Sequence, residues 1–355
     1  MTESGAVWSE RDTTPADIEA ALRELLKDRR AHGEAYAPAR VLNLVVVADR
    51  DWRGEILNRL ERVGRYHASR TIVCAVEEGR TDIDAWATME AEEEDVSAGK
   101  LAVAHEEVVL DIGPRHLQHL DRIVDPLVVT DLPTVVWSPH GHPEAVDALI
   151  GIAQVVLLDS VTDASARHAV ERAAELAERA YVVDLAWLRS TPWRERVAAT
   201  FDPPQWRIEL ACISGVTVRY SPDSEVAAVL LIGWLGHRLG WKPGPLRGED
   251  GHWSGTAQAD DGEVAIALEA DSTMPIPGLA GLTIETRSGL SISLDRGTGG
   301  LTARRRTPDG QESSWTVMGA SRGEAGILGE GIRQAMLRDR SYGPALAAAK
   351  EMICA

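Results

Sequence analysis

Short runs of apolar, mostly β-branched residues alternate with segments of helical periodicity between residues 38 and 185, and this alternation constrains the fold most. The clearest run is RVLNLVVVA at 40–48, and a second apolar run spans 71–76. Continuous apolar runs are typical of strands that are buried on both faces, as in parallel sheets. Strands that alternate with helices of about 10–16 residues indicate βαβ units. The sequence therefore predicts an N-terminal doubly wound, largely parallel α/β domain.

A different pattern begins near residue 205. From residue 253 to residue 318, short alternating segments separated by Gly- and Asp-rich turns are typical of an antiparallel meander. The almost wholly apolar stretch 226–239 predicts a buried helix, and 207–220 predicts a hairpin around Gly215. We therefore expect an α+β domain with an antiparallel sheet to follow the α/β domain. The predicted segments are an N-terminal helical segment, the α/β domain and the α+β domain, at 1–37, 38–204 and 205–355.

The charge of the chain narrows its choice of partners. Thirty-seven Lys and Arg against 55 Asp and Glu give a net charge of −18. Affinity for nucleic acids and for anionic membranes rests on clustered Lys and Arg, so we expect neither as a partner. The acidic run EAEEED at 90–95 lies within the polar stretch 77–100. It predicts a solvated loop or a solvated helix face.

Cysteine usage and the N-terminus indicate the compartment. The three cysteines, Cys74, Cys212 and Cys354, form no CxxC pair, and residues 1–12 contain no apolar signal region. A sparse, odd set of cysteines favours a reducing cytosol over a disulfide framework. No run of about 20 apolar residues predicts a membrane span. We therefore expect a cytoplasmic protein.

Sequence motifs for catalysis and for cofactor binding are missing. The turn after the first predicted strand reads DRDWRG at 49–54, which lacks the glycines that let a backbone approach a pyrophosphate. No P-loop and no GxSxG elbow occurs. We predict no catalytic residue, no cofactor and no metal. His140 and His142 follow a predicted strand at the end where α/β folds bind ligands, so they are weak candidates for ligand contact.

The segment DLAWLRSTPWRER at 184–196 stands out because two Trp and three Arg fall close together between the two predicted domains. Trp and Arg are the residue types most enriched at binding hot spots. In one interpretation, these residues contact a partner. In the alternative, the Trp rings wedge the domains together and the Arg side chains pair with Asp or Glu.

Six stretches of the sequence, taken in order, carry a resemblance to a known family. They are RVLNLVV at 40–46, HASRTIV at 67–73, DLPTVVW at 131–137, DLAWLRSTPWR at 184–194, FDP at 201–203 and GWLGHRLGW at 233–241. In this order they resemble the glucose-6-phosphate dehydrogenase assembly protein family, OpcA. Ala68 replaces the Pro that is usual in the second stretch.

The resemblance implies a non-catalytic protein that binds glucose-6-phosphate dehydrogenase and favours its active oligomeric form in the oxidative pentose phosphate pathway. It supplies no catalytic residue to transfer. The sparse cysteines give no ground for transferring the thiol regulation associated with cyanobacterial relatives. Our hypothesis is that a set of polar and aromatic residues lies on, or directly supports, the partner-binding surface. The set is Trp187, Arg189, Thr191, Trp193, Arg194, Ser69 and Arg70.

Two interpretations from other functional classes stay open. One is a sugar-phosphate- or nucleotide-binding enzyme with a degenerate α/β domain, in which Arg70 and His140 bind a phosphate. The other is a small-molecule sensor that needs no protein partner. Kinetics of the dehydrogenase, with and without this chain, discriminate between them and the assembly protein.

Overall fold

The structure, a computed structural model, consists of two compact units. The first contains Met1–Leu158, Arg179–Val182 and Glu324–Met336, and the second contains Asp159–Glu178, Val183–Gly323 and Leu337–Ala355. The described residues are 6–31, 40–64, 68–91, 104–163, 165–249, 251–274, 276–297, 299–318 and 323–354. The two compact units each combine several segments of the chain, so they do not test the predicted boundaries at 37/38 and 204/205, which stay predictions.

The helices and strands of the described residues follow in chain order. The strands are β1 (Ala6–Glu10), β2 (Leu42–Asp49), β3 (Ser69–Val76), β4 (Asp84–Ala91), β5 (Ala104–Ile112), β6 (Thr134–Trp137), β7 (Val155–Leu158), β8 (Tyr181–Asp184), β9 (Ile213–Tyr220), β10 (Lys242–Pro243), β11 (Arg247–Glu249), β12 (His252–Ala259), β13 (Gly262–Ala270), β14 (Leu279–Thr286), β15 (Ser291–Gly297), β16 (Gly300–Arg306) and β17 (Glu312–Met318). The α-helices are α1 (Pro15–Ala31), α2 (Arg53–Gly64), α3 (Asp121–Val124), α4 (Pro143–Leu149), α5 (Ala166–Ala177), α6 (Leu185–Arg189), α7 (Thr191–Phe201), α8 (Pro204–Arg207), α9 (Glu225–Leu239), α10 (Gly323–Leu337) and α11 (Tyr342–Ile353).

The first sheet has the order β1-β4-β5-β3-β2-β6-β7-β8. The pairs β2–β3, β3–β5, β2–β6 and β6–β7 are parallel. Counted from β2 along the chain without β4, the strands follow the order 3-2-1-4-5-6 of the doubly wound dinucleotide-binding fold. The predicted fold class is therefore confirmed for this sheet. The strand order reverses between β2 and β6, where sheets of this type bind ligands at their carboxyl ends.

The interior of this sheet follows from the apolar runs in the sequence. All eight side chains of β3 are buried, as are all but the last of β2. The buried amide of Asn43 is satisfied, because its Nδ2 donates to Val129 O at 3.0 Å and to Thr134 Oγ1 at 3.2 Å. A buried polar side chain with these partners avoids the cost of an unmade hydrogen bond.

Two strands at the β1 end of the first sheet differ from the predictions. Residues 84–91 lie in the polar stretch 77–100, where we predicted no strand, and form β4, which pairs antiparallel with β5 and β1. The solvated loop or helix face predicted for the acidic run at 90–95 is therefore wrong for residues 90 and 91. Ala85, Ala87 and Met89 are buried, so β4 has the alternation of a half-buried strand, which the neighbouring charges obscured. We predicted no strand at β1. Residues 92–95 of the predicted acidic segment lie outside the described residues.

The second sheet has the order β10-β12-β13-β9-β14-β15-β16-β17, with β11 also paired to β12. The pair β9–β13 is parallel, and the other strand pairs of this sheet are antiparallel among the described residues. This confirms the predicted α+β fold with an antiparallel sheet. The predicted hairpin around Gly215 is wrong, because β9 runs through Gly215, which lies across from Ala265 on one neighbour and Glu285 on the other. Because it is paired on both sides, the chain stays extended through this position and does not form a turn.

The apolar stretch that predicted a buried helix forms α9, which contacts β9, β13, α5 and α11. Gly233 permits the close approach of α11, because a Cβ at this position would lie 2.3 Å from Ala345 O. The helix ends at Gly240, whose φ of 70° suits glycine. No helix in the described ranges is long and apolar enough to cross a lipid bilayer.

Candidate partner-binding site

Side chains anchor each turn of the chain between β8 and α7 in the second unit. Asp184 caps α6, since its Oδ1 accepts a hydrogen bond from Ala186 N at 2.9 Å. Ser190 Oγ donates to Trp187 O at 2.8 Å and closes the turn that follows. Pro192 lies in the first turn of α7, where its missing N–H costs nothing. The local sequence therefore specifies two short helices in succession.

The aromatic ring of Trp187 lies at the centre of a buried group, which we term the Trp187 cluster. The Arg194 guanidinium carbon lies 3.4 Å from the centroid of the Trp187 ring, and the Tyr342 ring lies at 5.7 Å. The indole Nε1 donates to Asp339 Oδ2 at 2.9 Å. Trp187 is 1% exposed. The cluster consists of Asp184, Trp187, Ser190, Arg194, Asp339 and Tyr342.

Arg194 is held by neutral oxygen acceptors as well as by the indole ring. Its Nη1 donates to Trp187 O at 2.8 Å, and its Nη2 donates to Thr191 Oγ1 at 2.9 Å. Burial lowers the pKa of the guanidinium to about 10, although Asp339 and Glu195 favour its charge. Arg194 therefore stays protonated at neutral pH and stabilises the turn between α6 and α7.

Two carboxyl groups of the Trp187 cluster have pKa values shifted in opposite directions. Burial raises the pKa of Asp184 to about 6, although hydrogen bonds from Ser160 favour its charged form. Burial alone would raise the pKa of Asp339, but hydrogen bonds from Ser341 and Trp187, with the charge of Arg194, lower it. Asp184 also accepts a hydrogen bond from Tyr342 OH at 3.3 Å. Asp339 is therefore the carboxylate that balances Arg194, whereas Asp184 titrates near neutral pH.

The structure brings together most of the residues proposed from the second-unit motif. Arg189 forms a bidentate pair with Asp159, with both N–O distances at 2.7 Å. Trp193 and Arg194 are 3% and 8% exposed, so their side chains offer little surface for direct contact. Pairing of Arg189 with a carboxylate is the alternative that the sequence left open. Of the two roles in our hypothesis, the geometry suits support of a surface.

Ser69 and Arg70 lie in the first unit, at the amino end of β3. Arg70 Nε donates to Glu106 Oε2 at 2.8 Å, and its Nη1 donates to Leu127 O at 2.8 Å. Arg70 is 5% exposed, and Ser69 Oγ lies 3.1 Å from Thr71 Oγ1. Because ligands of parallel sheets bind at the carboxyl end, and because its guanidinium is already paired, Arg70 is poorly placed to bind a phosphate.

The crevice between β2 and β6 is bridged by side chains from the two loops that border it. His142 Nε2 lies 3.0 Å from Asp49 Oδ1, and the rings of His140 and Trp52 lie 4.7 Å apart. Burial, followed by the charge of Arg59, lowers the pKa of His140. His140 Nδ1 is buried without a hydrogen-bond partner among the described residues. Contacts between these loops occupy the place where a dinucleotide lies in related sheets.

Comparisons with known proteins identify the family. A family model described as the glucose-6-phosphate dehydrogenase subunit N-terminal domain matches residues 61–180. A second model, described as the C-terminal domain of that subunit, matches residues 180–346. The chain belongs to the OpcA family. The resemblance stated from the sequence motifs is thus confirmed, and the two models meet at residue 180, near the start of β8.

Curated OpcA relatives carry the provisional name OxPP cycle protein OpcA. The relative from Synechococcus elongatus is 25% identical over 214 residues, covering 58% of this chain and 47% of the relative. The relative from Nostoc punctiforme is 28% identical over 185 residues, covering 45% of this chain and 40% of the relative. The chain therefore spans about half or less of the length of the curated relatives that it matches.

Solved structures that resemble this OpcA-family chain include two dehydrogenases. UDP-N-acetylglucosamine 3-dehydrogenase from Acidithiobacillus ferrooxidans has a TM-score of 0.42 and 10% identity, covering 88% of this chain and 97% of its own. Apo scyllo-inositol dehydrogenase from Lactobacillus casei has a TM-score of 0.42 and 11% identity, covering 89% and 96%. A similarity at this level assigns no activity.

Sequence reasoning missed two groups of residues in this OpcA chain. Asp339 and Tyr342 complete the Trp187 cluster from about 150 residues further along the chain, a distance over which sequence spacing predicts no contact. The second group is the Arg305 ladder, in which Arg305 lies between Trp206 and Trp315. The run of three arginines at 304–306 and the Trp on the next strand were the available signals.

Proposed function

We propose that this OpcA-family chain binds glucose-6-phosphate dehydrogenase and favours its active oligomeric form, without catalysing a reaction itself. The observation that carries the proposal is the unbroken match of two glucose-6-phosphate dehydrogenase subunit domains from residue 61 to residue 346. The provisional name of the relatives supports a role in the oxidative pentose phosphate cycle. We infer a cytoplasmic location, since the sparse, odd set of cysteines favours a reducing compartment.

The crevice at the strand-order reversal supports a non-catalytic role. In a dinucleotide-dependent enzyme of this topology, the loop after β2 leaves room for the cofactor. Here Asp49 and Trp52 of that loop contact His142 and His140 of the loop after β6. A nucleotide would have to displace both contacts. The weak ligand-contact role of His140 and His142 therefore stays a secondary proposal.

A binding protein activates an enzyme through differential affinity. If this chain binds the active conformation of the dehydrogenase more tightly than the inactive one, it shifts the population by at most that difference. A preference of about 1.4 kcal/mol gives a tenfold shift. An interface of standard size with a few Trp and Arg anchors suffices for this.

The Trp187 cluster has a supporting role in this proposal. It fixes α6 against α7, and α7 in turn contacts α8, which carries Trp206. Trp187, Arg189, Thr191, Trp193 and Arg194 would thus set the position of a surface that lies further along the chain. Ser69 and Arg70 would have a supporting role in the first unit, through their hydrogen bonds to neighbouring residues.

Titration of the cognate dehydrogenase with this chain tests the proposed function. We expect the initial rate to rise and to saturate at a fixed stoichiometry, with a larger sedimenting species in the mixture. An unchanged rate and an unchanged size would contradict the proposal. Thermal stabilisation of the isolated chain by glucose 6-phosphate or NADP would favour the enzyme alternative, and turnover by the isolated chain would establish it.

A further inference from the structure

The outer edge of β17 is open within the described part of the chain. β17 is the last strand in the order of the second sheet and pairs only with β16. It has seven residues, ESSWTVM, without Pro or Lys, and its register with β16 is free of bulges. Short length, Pro, Lys and bulges are the usual protections of edge strands. An unprotected edge of this length is suited to accept another strand.

The Arg305 ladder flanks this edge on one face of the sheet. The Arg305 guanidinium carbon lies 4.3 Å from the Trp206 ring centroid and 5.1 Å from that of Trp315. All three residues are partly exposed. Arg305 Nε is buried without a hydrogen-bond partner among the described residues. Ile208, two residues after Trp206, is 70% exposed. The ladder thus combines exposed aromatic area with a donor that lacks an acceptor.

The opposite face of the same strands carries an unpaired positive charge. Arg304 and Arg306 are exposed, and neither forms an ion pair with a described residue, although Glu312 lies across from Arg306. They border a shallow depression of about 320 Å³, which Ser291, Ser293 and Ser314 also line. On a chain with a net charge of −18, this is a basic corner in an acidic molecule.

The register determines how the basic corner reaches an added strand. Arg304 lies directly across from Ser314 on β17. A strand added to β17 would lie about 10 Å from β16, since neighbouring strands are about 4.8 Å apart. An extended arginine side chain on β16 and a carboxylate side chain on the added strand are together long enough to span this distance. The small side chain of Ser314, which lies between them, leaves room for the contact. Alternate residues of the added strand would face the arginines, so alternate acidic residues would fit best.

We propose that the β16–β17 corner of the second unit binds an extended acidic segment of the dehydrogenase, which adds to β17 as a further antiparallel or parallel strand. The inference rests on the proposed function for the identity of the partner. Complementarity of charge favours an acidic protein segment over a second copy of this chain, because two copies each carry −18. The net charge of the chain also opposes nucleic acid at this corner.

The experiment measures binding of the dehydrogenase to a charge-reversed chain. The double variant R304E/R306E changes two exposed side chains, so its denaturation midpoint should fall only slightly, through repulsion between the new carboxylate at position 306 and Glu312 across from it. We expect its Kd for the dehydrogenase to rise about tenfold or more, with a weaker salt dependence than the unmodified chain. The matched control is K242E/R247E, which makes the same charge change on β10 and β11 at the other end of the same sheet.

Hydrogen exchange separates strand addition from non-specific attraction. In the complex of the unmodified chain, alternate amides of Glu312–Met318 should become protected, because every second amide of an edge strand points outward and donates to the added strand. An equal loss of affinity in both double variants, or the absence of protection in β17, would overturn the inference. Binding unaffected by R304E/R306E would also overturn it and leave the proposed function intact. A dehydrogenase that does not bind the unmodified chain would instead overturn the proposed function and this inference with it.

Discussion

The Trp187 cluster and the Arg305 ladder use the same two residue types in contrasting environments. In the cluster, Arg194 packs against a Trp that is 1% exposed, and the guanidinium donates to three oxygen atoms. In the ladder, Arg305 lies between two partly exposed rings, and its Nε has no acceptor among the described residues. A buried group with satisfied donors stabilises a fold. Partly exposed rings and a partly exposed guanidinium offer surface that can contribute to binding.

Truncation of the two Trp residues should separate these roles most clearly. Trp187→Ala removes a fully buried ring, together with the contact between that ring and Arg194 and the hydrogen bond from the indole to Asp339. We therefore expect a loss of about 4 kcal/mol in the free energy of unfolding. Trp315→Ala removes a partly exposed ring, and we expect a loss of about 1 kcal/mol. Urea denaturation followed by circular dichroism measures both values. Equal losses in the two variants would remove the distinction between cluster and ladder.

The buried carboxyl of Asp184 should give the second unit a pH-dependent stability. Because burial raises the folded-state pKa of Asp184 to about 6 from 3.8, the folded state binds more protons than the unfolded state in that window. The free energy of unfolding should therefore fall as the pH rises from about 4 to 6, by on the order of 3 kcal/mol.

The variant Asp184→Asn isolates this contribution, because an amide oxygen still accepts from Ala186 N and Ser160 N. We expect the variant to lose the fall in stability between pH 4 and pH 6 and to be at least as stable as the unmodified chain at pH 7. Stability curves of the two proteins that stay parallel across this window would contradict the assignment.

Replacement of the two arginines by Met should have smaller effects of unequal size. Arg194→Met removes the donor to Thr191 Oγ1 and the charge that balances the carboxylate of Asp339, so we expect a loss of about 2 kcal/mol. Arg305→Met keeps an aliphatic stem between the two rings, and we expect a change below about 1 kcal/mol. In an assay of binding to the dehydrogenase, Arg305→Met should raise the Kd more than Arg194→Met does. Arg194→Met is measured under conditions in which it stays folded.

The parts of the fold set by local sequence were predicted correctly, whereas those set by pairing choices were not. The apolar runs around Val45 and Ile72 predicted buried parallel strands, because short β-branched runs between helical segments are typical of strands buried on both faces. Gly215 was assigned to a turn, since glycine is common in turns and the sequence does not reveal that β9 has neighbours on both sides. β4 was missed because its alternation is short and charged residues surround it.

The candidate site shows the same division. The motif around Trp187 and Arg194 was recognisable, because the residue types are unusual and close in sequence. Its burial was not predictable, since it depends on Tyr342 and Asp339, which arrive from the last helix and the residues before it. The sequence suggested that Arg70 could bind a phosphate, because it does not show that Arg70 pairs with Glu106. Composition identifies candidates of this kind, but packing decides their roles.

Co-elution with the cognate dehydrogenase tests the central claim most directly. The two purified proteins are mixed at neutral pH and analysed by size-exclusion chromatography with light scattering. We predict one complex whose mass exceeds that of either protein alone and whose dehydrogenase activity exceeds that of the free enzyme. Two separate peaks at the masses of the free proteins, at concentrations well above those in the kinetic titration, would contradict a role that depends on binding.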